Sequence, residues 1–211
     1  VQAKKMLGGL NFFLKGLPFI YQGQEIGMEN TVVSSMDEVD DISTLDQYQV
    51  ALDAGLSPEE ALRAVSAYSR DNARTPVQWD DGPQAGFTAG TPWLKVNPNY
   101  REINVAAQEP DEDSVLNFYK KMIALRKHPD YKDTFVYGSL IPFRREQKNL
   151  MAYYRKDAQN TLLVIGNYQN ASQDLILDRE PRSVLLNNCK TLSLSKETLH
   201  LEPYQFLVLA M

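Results

Sequence analysis

A single cysteine, Cys189, stands in the 211 residues, so no internal disulfide can form and a reducing compartment is expected. With no histidine near it in sequence, Cys189 reads as a small residue in a strand, not as a reactive thiol. There are only two histidines, His128 and His200, far apart and in different predicted domains, so no metal site is expected. No apolar run reaches membrane-spanning length. The first residues lack the ordered basic, apolar and small-residue regions of a signal peptide, and a cytoplasmic protein is the expectation. Basic clusters interleaved with aromatics are missing, and the formal net charge is -5 with a pI near 5.1. Neither nucleic acid nor an anionic membrane is therefore an expected partner. "GQEIG" has too few glycines for a dinucleotide fingerprint, and no Gly-x-Ser-x-Gly occurs. No cofactor is expected.

What is present divides in two. Residues 2–15 place Ala3, Met6, Leu7, Leu10, Phe13 and Leu14 on one helical face, and Gly16 and Pro18 end the helix. "LPFIYQG" then reads as a short buried strand, so helix and buried strand together suggest α/β organisation. The first residues already look like the middle of a helix, as if the chain were the tail of something longer. A helix is predicted over 44–54, with Leu45, Tyr48 and Leu52 inward. Another follows Ser57, where Pro58 and Glu60 complete a capping box and Ala61, Leu62, Val65 and Tyr68 form the apolar stripe. Residues 75–110 are rich in turn formers, but Trp79, Phe87, Trp93 and Tyr100 argue for order. A strong helix precedes Pro129, with Val115, Tyr119, Met122 and Ile123 inward. From about residue 131, short β-rich runs follow one another, from "DTFVYGSLIPF" to "YQFLVLAM", as in an antiparallel sandwich.

The carboxylates give several candidates. Glu25 lies just past the predicted strand, where a parallel sheet or barrel presents its ligands, so it is either catalytic or a loop-ordering residue. Asp40-Asp41 and Asp80-Asp81 read as solvated loop acids or turn formers. The stretch "SRDNARTPVQWDD" concentrates polar groups beside a tryptophan. Arg supplies a fixed fork of donors and Trp an apolar face, which together suit a sugar. The same residues also suit a purely structural cluster, with Arg70 or Arg74 paired to Asp71 or Asp80 and Trp79 filling a small core.

"GLPFIYQGQEIGMEN" (16–30), "SRDNARTPVQWDDGPQAGFTAGTPWLKVNPNYREINV" (69–105) and "FYKKMIALRKHPD" (118–130) resemble glycoside hydrolase family 13, the α-amylase family, and within it the oligo-1,6-glucosidase and α-glucosidase group. The resemblance covers the chain nearly end to end. It implies an α/β end-piece of a (β/α)8 barrel followed by an all-β antiparallel sandwich. Residues 1–130 would be the C-terminal segment of the catalytic barrel, with 17–22 its eighth strand, 24–110 the long loop after it and 112–128 its eighth helix. Residues 131–211 would be the C-terminal β-sandwich domain. The family's two catalytic carboxylates and its transition-state-stabilising Asp all lie upstream of these segments, so no catalytic residue is expected in this chain. Arg70 matches a substrate-binding Arg whose partner Asp comes from an early barrel loop, and Glu25, Asp71, Arg74 and Trp79 match pocket or loop support. The stretch "DDISTL" departs from the pattern, since oligo-1,6-glucosidases commonly carry an acid where Ser43 stands.

The implied parent is a retaining, exo-acting α-glucosidase cleaving α-1,6 or α-1,4 bonds of short oligosaccharides, and the chain alone is expected to be inactive. The alternatives are a relative of trehalose-6-phosphate hydrolase or sucrose isomerase, and a non-catalytic carbohydrate-binding module. The oligosaccharide partner would be met through the missing barrel portion. The uncovered barrel pieces are expected to drive self-association.

Overall fold

The computed structural model describes residues 1–211, which divide into two compact units: Val1–Ile20 with Glu112–Met211, and Tyr21–Asp111. No helix is long and apolar enough to cross a membrane.

The first unit is built in three layers. Helix α1 (Gln2–Phe12) and helix α5 (Val115–Lys127) cover one face of a five-stranded antiparallel sheet. Its strands are β1 (Ser139–Phe143), β2 (Leu150–Lys156), β3 (Thr161–Asn167), β5 (Ser183–Asn187) and β8 (Phe206–Ala210), in the order β1-β2-β3-β8-β5. A three-stranded sheet, β4 (Gln173–Ile176), β7 (Thr198–Leu201) and β6 (Ser193–Ser195), lies against the other face. The alternation of side chains along β3 and β8 explains their unbroken apolar runs. Leu162, Val164, Phe206 and Val208 point to the helices, while Leu163, Ile165, Leu207 and Leu209 meet Leu175, Leu199 and Leu201 of the small sheet. A strand buried on both faces reads as a near-continuous apolar run.

Gly9 shows how closely α1 sits on this sheet: a Cβ there would fall 2.6 Å from the Phe206 ring. The helix ends on orphan carbonyls, which are met by side chains from elsewhere in the unit. Arg126 Nη1 donates to Phe12 O at 2.9 Å and Nη2 to Gly16 O at 2.7 Å. Arg155 Nη1 donates to Phe13 O at 2.9 Å, and the Tyr153 hydroxyl to Leu10 O at 2.7 Å. Burial pushes both guanidinium groups below their ordinary value and the Tyr153 phenol above its own.

Two predictions fail in this unit. The segment 17–22 belongs to no sheet, and Leu17, Phe19 and Tyr21 are exposed while Ile20 packs on the core. A buried strand needs neighbouring strands to take its backbone groups, and none is supplied here. The run "DTFVYGSLIPF" is not all strand: Lys132–Val136 forms helix α6, and only Ser139–Phe143 joins the sheet. Gly138 separates the two, and its N–H bonds back to the Thr134 and Asp133 carbonyls. The other β-rich runs form strands within a residue or two of their predicted bounds.

The second unit is held mostly by turns and caps. Helix α2 (Ile42–Asp53) and helix α3 (Pro58–Ser66) form a hairpin through Gly55, whose φ of 93° suits a residue without a Cβ. The capping box at α3 is present in full: Ser57 Oγ accepts from Glu60 N, and Glu60 Oε2 accepts from Ser57 N at 3.0 Å. The apolar stripes predicted for these helices are only partly buried, with Leu45 half-exposed and Tyr68 91 % exposed. Short 3-10 turns over Gln24–Ile26, Met36–Glu38, Arg70–Ala73, Pro83–Gly86 and Pro98–Arg101, with helix α4 (Val105–Gln108), complete the unit.

Candidate functional site: the Arg70 cluster

Ser69 caps the 3-10 turn Arg70–Ala73 by accepting from Asp71 N at 3.2 Å, and this turn aims Arg70, Asp71 and Arg74 at the start of α2. Asp41, the residue before α2, is 3 % exposed and receives Arg70 through Nε at 2.9 Å and Nη2 at 2.6 Å, both on Oδ1. Its Oδ2 accepts from the Thr44 hydroxyl at 2.8 Å and from Arg70 N at 3.2 Å. Every lone pair of this carboxylate is thereby engaged in its ionised form. Arg70 and Thr44 hold it well below the usual carboxylate range, against the opposing effect of burial.

Asp71 is buried and engaged in the same manner. Its Oδ1 accepts from Arg74 Nη2 at 2.6 Å, and its Oδ2 takes the backbone N–H groups of Asp40 at 2.8 Å and Asp41 at 3.0 Å. One buried carboxylate thus fixes the backbone that positions the other. The Arg74 guanidinium lies over the Trp93 ring at 5.4 Å, and Trp93 Nε1 donates to Asp40 Oδ2 at 2.9 Å.

The structure therefore brings Arg70, Asp71 and Arg74 together, as the sequence suggested. It adds Asp40, Asp41 and Trp93, to which the sequence reading gives no part in this cluster. The Arg70 side chain, 69 % exposed, has its carboxylate partner within this chain, in Asp41. The sequence suggests solvated loop acids or turn formers at Asp40-Asp41, yet Asp41 stands directly before the "ISTL" helix start, a position that marks it as a capping residue.

The two remaining candidates lie outside these contacts. Trp79 is half-exposed and is tied by its backbone, N–H to Ala85 O and C=O from Ala106 N, both at 2.9 Å. Glu25 sits in the turn Gln24–Ile26, where its Oε2 is buried without a hydrogen-bond partner. No group of three or more His, Cys, Asp or Glu side chains is placed to hold a metal ion.

Arg70 has donors to spare. Nη1 and the second N–H of Nη2 take no protein acceptor, and Arg70 is among the residues lining the groove between α2 and α3, a space of about 450 Å³. A fixed, charge-compensated donor fork of this kind can orient a hydroxylated ligand.

Comparison with known proteins gives these contacts a family. The α-amylase catalytic domain matches residues 1–138, and the C-terminal domain of the α-amylase SusG matches residues 150–208. A probable oligo-1,6-glucosidase from Bacillus subtilis is 45 % identical over 165 residues, which is 78 % of this chain and 29 % of that protein. The crystal structure of trehalose-6-phosphate hydrolase from Bacillus licheniformis superimposes with a TM-score of 0.90 at 36 % identity, covering 99 % of this chain and 38 % of that one. Isomaltulose synthase from Klebsiella sp. LX3 superimposes at 0.91, with 36 % identity and the same coverage. The chain thus spans about a third of the length of the relatives it matches. Since the catalytic-domain profile takes in well over half of its residues, the chain belongs to the α-amylase family.

Proposed function

We propose that the chain is the C-terminal portion of a retaining, exo-acting α-glucosidase that hydrolyses α-1,6 or α-1,4 glucosidic bonds of short oligosaccharides. Residues 1–130 then close the catalytic barrel, with 17–22 as its last strand, and 131–211 form its sandwich domain. Arg70 is the residue assigned to substrate. Glu25, Asp71, Arg74 and Trp79 support the loop and pocket wall. The single cysteine is in keeping with a cytoplasmic enzyme.

The observation that carries the reading is the pre-oriented Arg70 fork in a chain 45 % identical to an oligo-1,6-glucosidase. The chain alone is expected to be inactive. Retaining hydrolysis needs a carboxylic acid that keeps its proton near neutral pH and a second carboxylate about 5 Å away as nucleophile. The two buried acids of the Arg70 cluster, Asp41 and Asp71, are spent on arginines and backbone amides, and Asp41 is held ionised. The relatives named trehalose-6-phosphate hydrolase and isomaltulose synthase, both 36 % identical, support a second reading, in which the parent is a relative of trehalose-6-phosphate hydrolase or sucrose isomerase.

Reconstitution tests the proposal. The upstream part of the Bacillus subtilis relative, ending where the match to this chain begins, is co-expressed with the chain and assayed on isomaltose, with the anomer released followed by proton NMR. Hydrolysis with retention is expected from the pair, reduced by Arg70→Ala, and none from the chain alone. Turnover of p-nitrophenyl α-glucoside by the isolated chain, abolished by Arg70→Ala, contradicts the fragment reading.

A further inference from the structure

We infer that the Asp81–Gly82 peptide bond is a site of spontaneous covalent modification, at which the folded loop converts Asp81 to isoaspartate. This chemistry belongs to the loop itself and holds whatever the parent acts on.

Three features meet at that bond. The first is a free electrophile. Asp81-Gly82 is the one Asp-Gly pair of the chain, and Asn-Gly does not occur. The Asp81 side chain is exposed, and no hydrogen bond or ion pair engages its carboxyl. It can turn back on the backbone without giving up a partner. The second is an unshielded nucleophile. Gly82 brings no side chain beside its own nitrogen, and a Cβ there would fall 2.9 Å from Asp80 Oδ1.

The third is a base already in place. Gly82 N donates to Asp80 Oδ1 at 2.8 Å, so a carboxylate sits on the proton that the nitrogen must lose. The turn holds that contact. Trp79 N and Asp80 N both donate to Ala85 O, at 2.9 and 3.2 Å, and Ala85 N donates to Gly82 O at 3.0 Å. Gln84 and Ala85 accept left-handed backbone, each with φ of 55°, to close it. Asp80 is thus the turn former of its pair, and Asp81 is left in water at the open end.

The reaction balances with water alone. Gly82 N attacks Cγ of the neutral Asp81 carboxyl. The Gly82 proton passes to Asp80 Oδ1 and on to the departing hydroxyl, so one water leaves and a cyclic imide closes. Water then adds to the backbone carbonyl carbon of Asp81, and the bond from that carbon to Gly82 N breaks. The chain now runs through Cγ, and the former backbone carbonyl is a free carboxylate. One methylene has entered the backbone inside the turn, which should loosen the Trp79 and Asp80 bonds to Ala85 O.

The test is ageing of the folded 211-residue chain at neutral pH. Isoaspartate is counted by methyl transfer from S-adenosylmethionine with an isoaspartate methyltransferase, and its position is read by electron-transfer fragmentation. Isoaspartate is expected at Asp81 ahead of every other aspartate, with faster amide exchange at Trp79 and Asp80 in the aged fraction. Asp80→Asn keeps an oxygen for the Gly82 N–H but removes the base, and should slow the conversion about tenfold or more. Gly82→Ala should suppress it. Unchanged amide exchange in the first unit shows that each variant is folded. A peptide of residues 76–87 is the unfolded reference, and the folded chain should convert at least as fast. No isoaspartate at Asp81, a rate below that of the peptide, or a rate indifferent to Asp80→Asn overturns the inference.

Discussion

The two units of this chain put arginine to opposite uses. In the first, Arg126 and Arg155 are buried and meet carbonyl oxygens at the end of α1. In the second, Arg70 and Arg74 reach the carboxylates of Asp41 and Asp71. The difference follows from what surrounds them. The first unit has two apolar clusters on either side of a sheet, and burying a carboxylate there would add a desolvation cost. The partial negative charge of a helix C-terminus gives a guanidinium its partner without a second ion. The second unit buries few large apolar side chains, chiefly Ile26, Val39 and Leu94, and its loops are ordered by charged hydrogen bonds. One unit is held by area removed from water, the other by a network of charged hydrogen bonds beside its candidate site.

The largest test of this contrast is Phe206→Ala. The ring is fully buried between Phe13 and Phe118, so its loss should cost about 3–5 kcal/mol in denaturant unfolding of the first unit. The second unit's amide exchange should stay unchanged, and equal loosening of both units would break the comparison. Arg155→Met should cost the first unit about 1–3 kcal/mol, because Phe13 O, Thr134 O and Gly138 O lose their donor inside an apolar cluster.

In the second unit, Asp41→Ala should cost about 1–3 kcal/mol, read from exchange of the amides around Arg70. The pH dependence has a definite sign. A carboxyl whose folded-state value is depressed contributes stability that is complete above the ordinary Asp range and disappears as pH falls toward the depressed value. The wild-type cluster should therefore persist through mildly acidic pH and loosen only in strong acid, and Asp41→Ala should flatten that part of the profile. Ser57→Ala removes half of the capping box and should destabilise α3 by about 1 kcal/mol, visible as faster exchange of its first-turn amides. The smallest effect on fold stability, and the most direct on assembly, is expected from Phe19→Asp. Leu17, Phe19 and Tyr21 form an exposed apolar row, from which we propose self-association of the chain. Sedimentation should show a concentration-dependent species that this substitution reduces.

Local chemistry made part of the site legible in advance. The "SRDNARTP" stretch pointed to a polar cluster, and three of its members meet in the structure. Trp93 was harder to place, because nothing local distinguishes it from Trp79 as the ring beside Arg74. Asp41 was harder still. Thirty residues separate it from Asp71, and only the return of the chain shows that its carboxylate is shielded from water.

By itself the sequence determined the elements whose causes are short-range. The 3.6-residue spacing of Met6, Leu10 and Phe13, the Ser57–Glu60 box and the alternating faces of β3 and β8 are fixed by neighbours in the chain, and each is present. Tertiary structure alone decided the fate of 17–22, whose apolar residues suit a strand but find no ladder to join. It likewise decided that an arginine fork would close on Asp41 and leave Tyr68 in water. A helix satisfies its backbone within a few residues, whereas a strand or an ion pair takes its stability from groups that the local sequence does not contain.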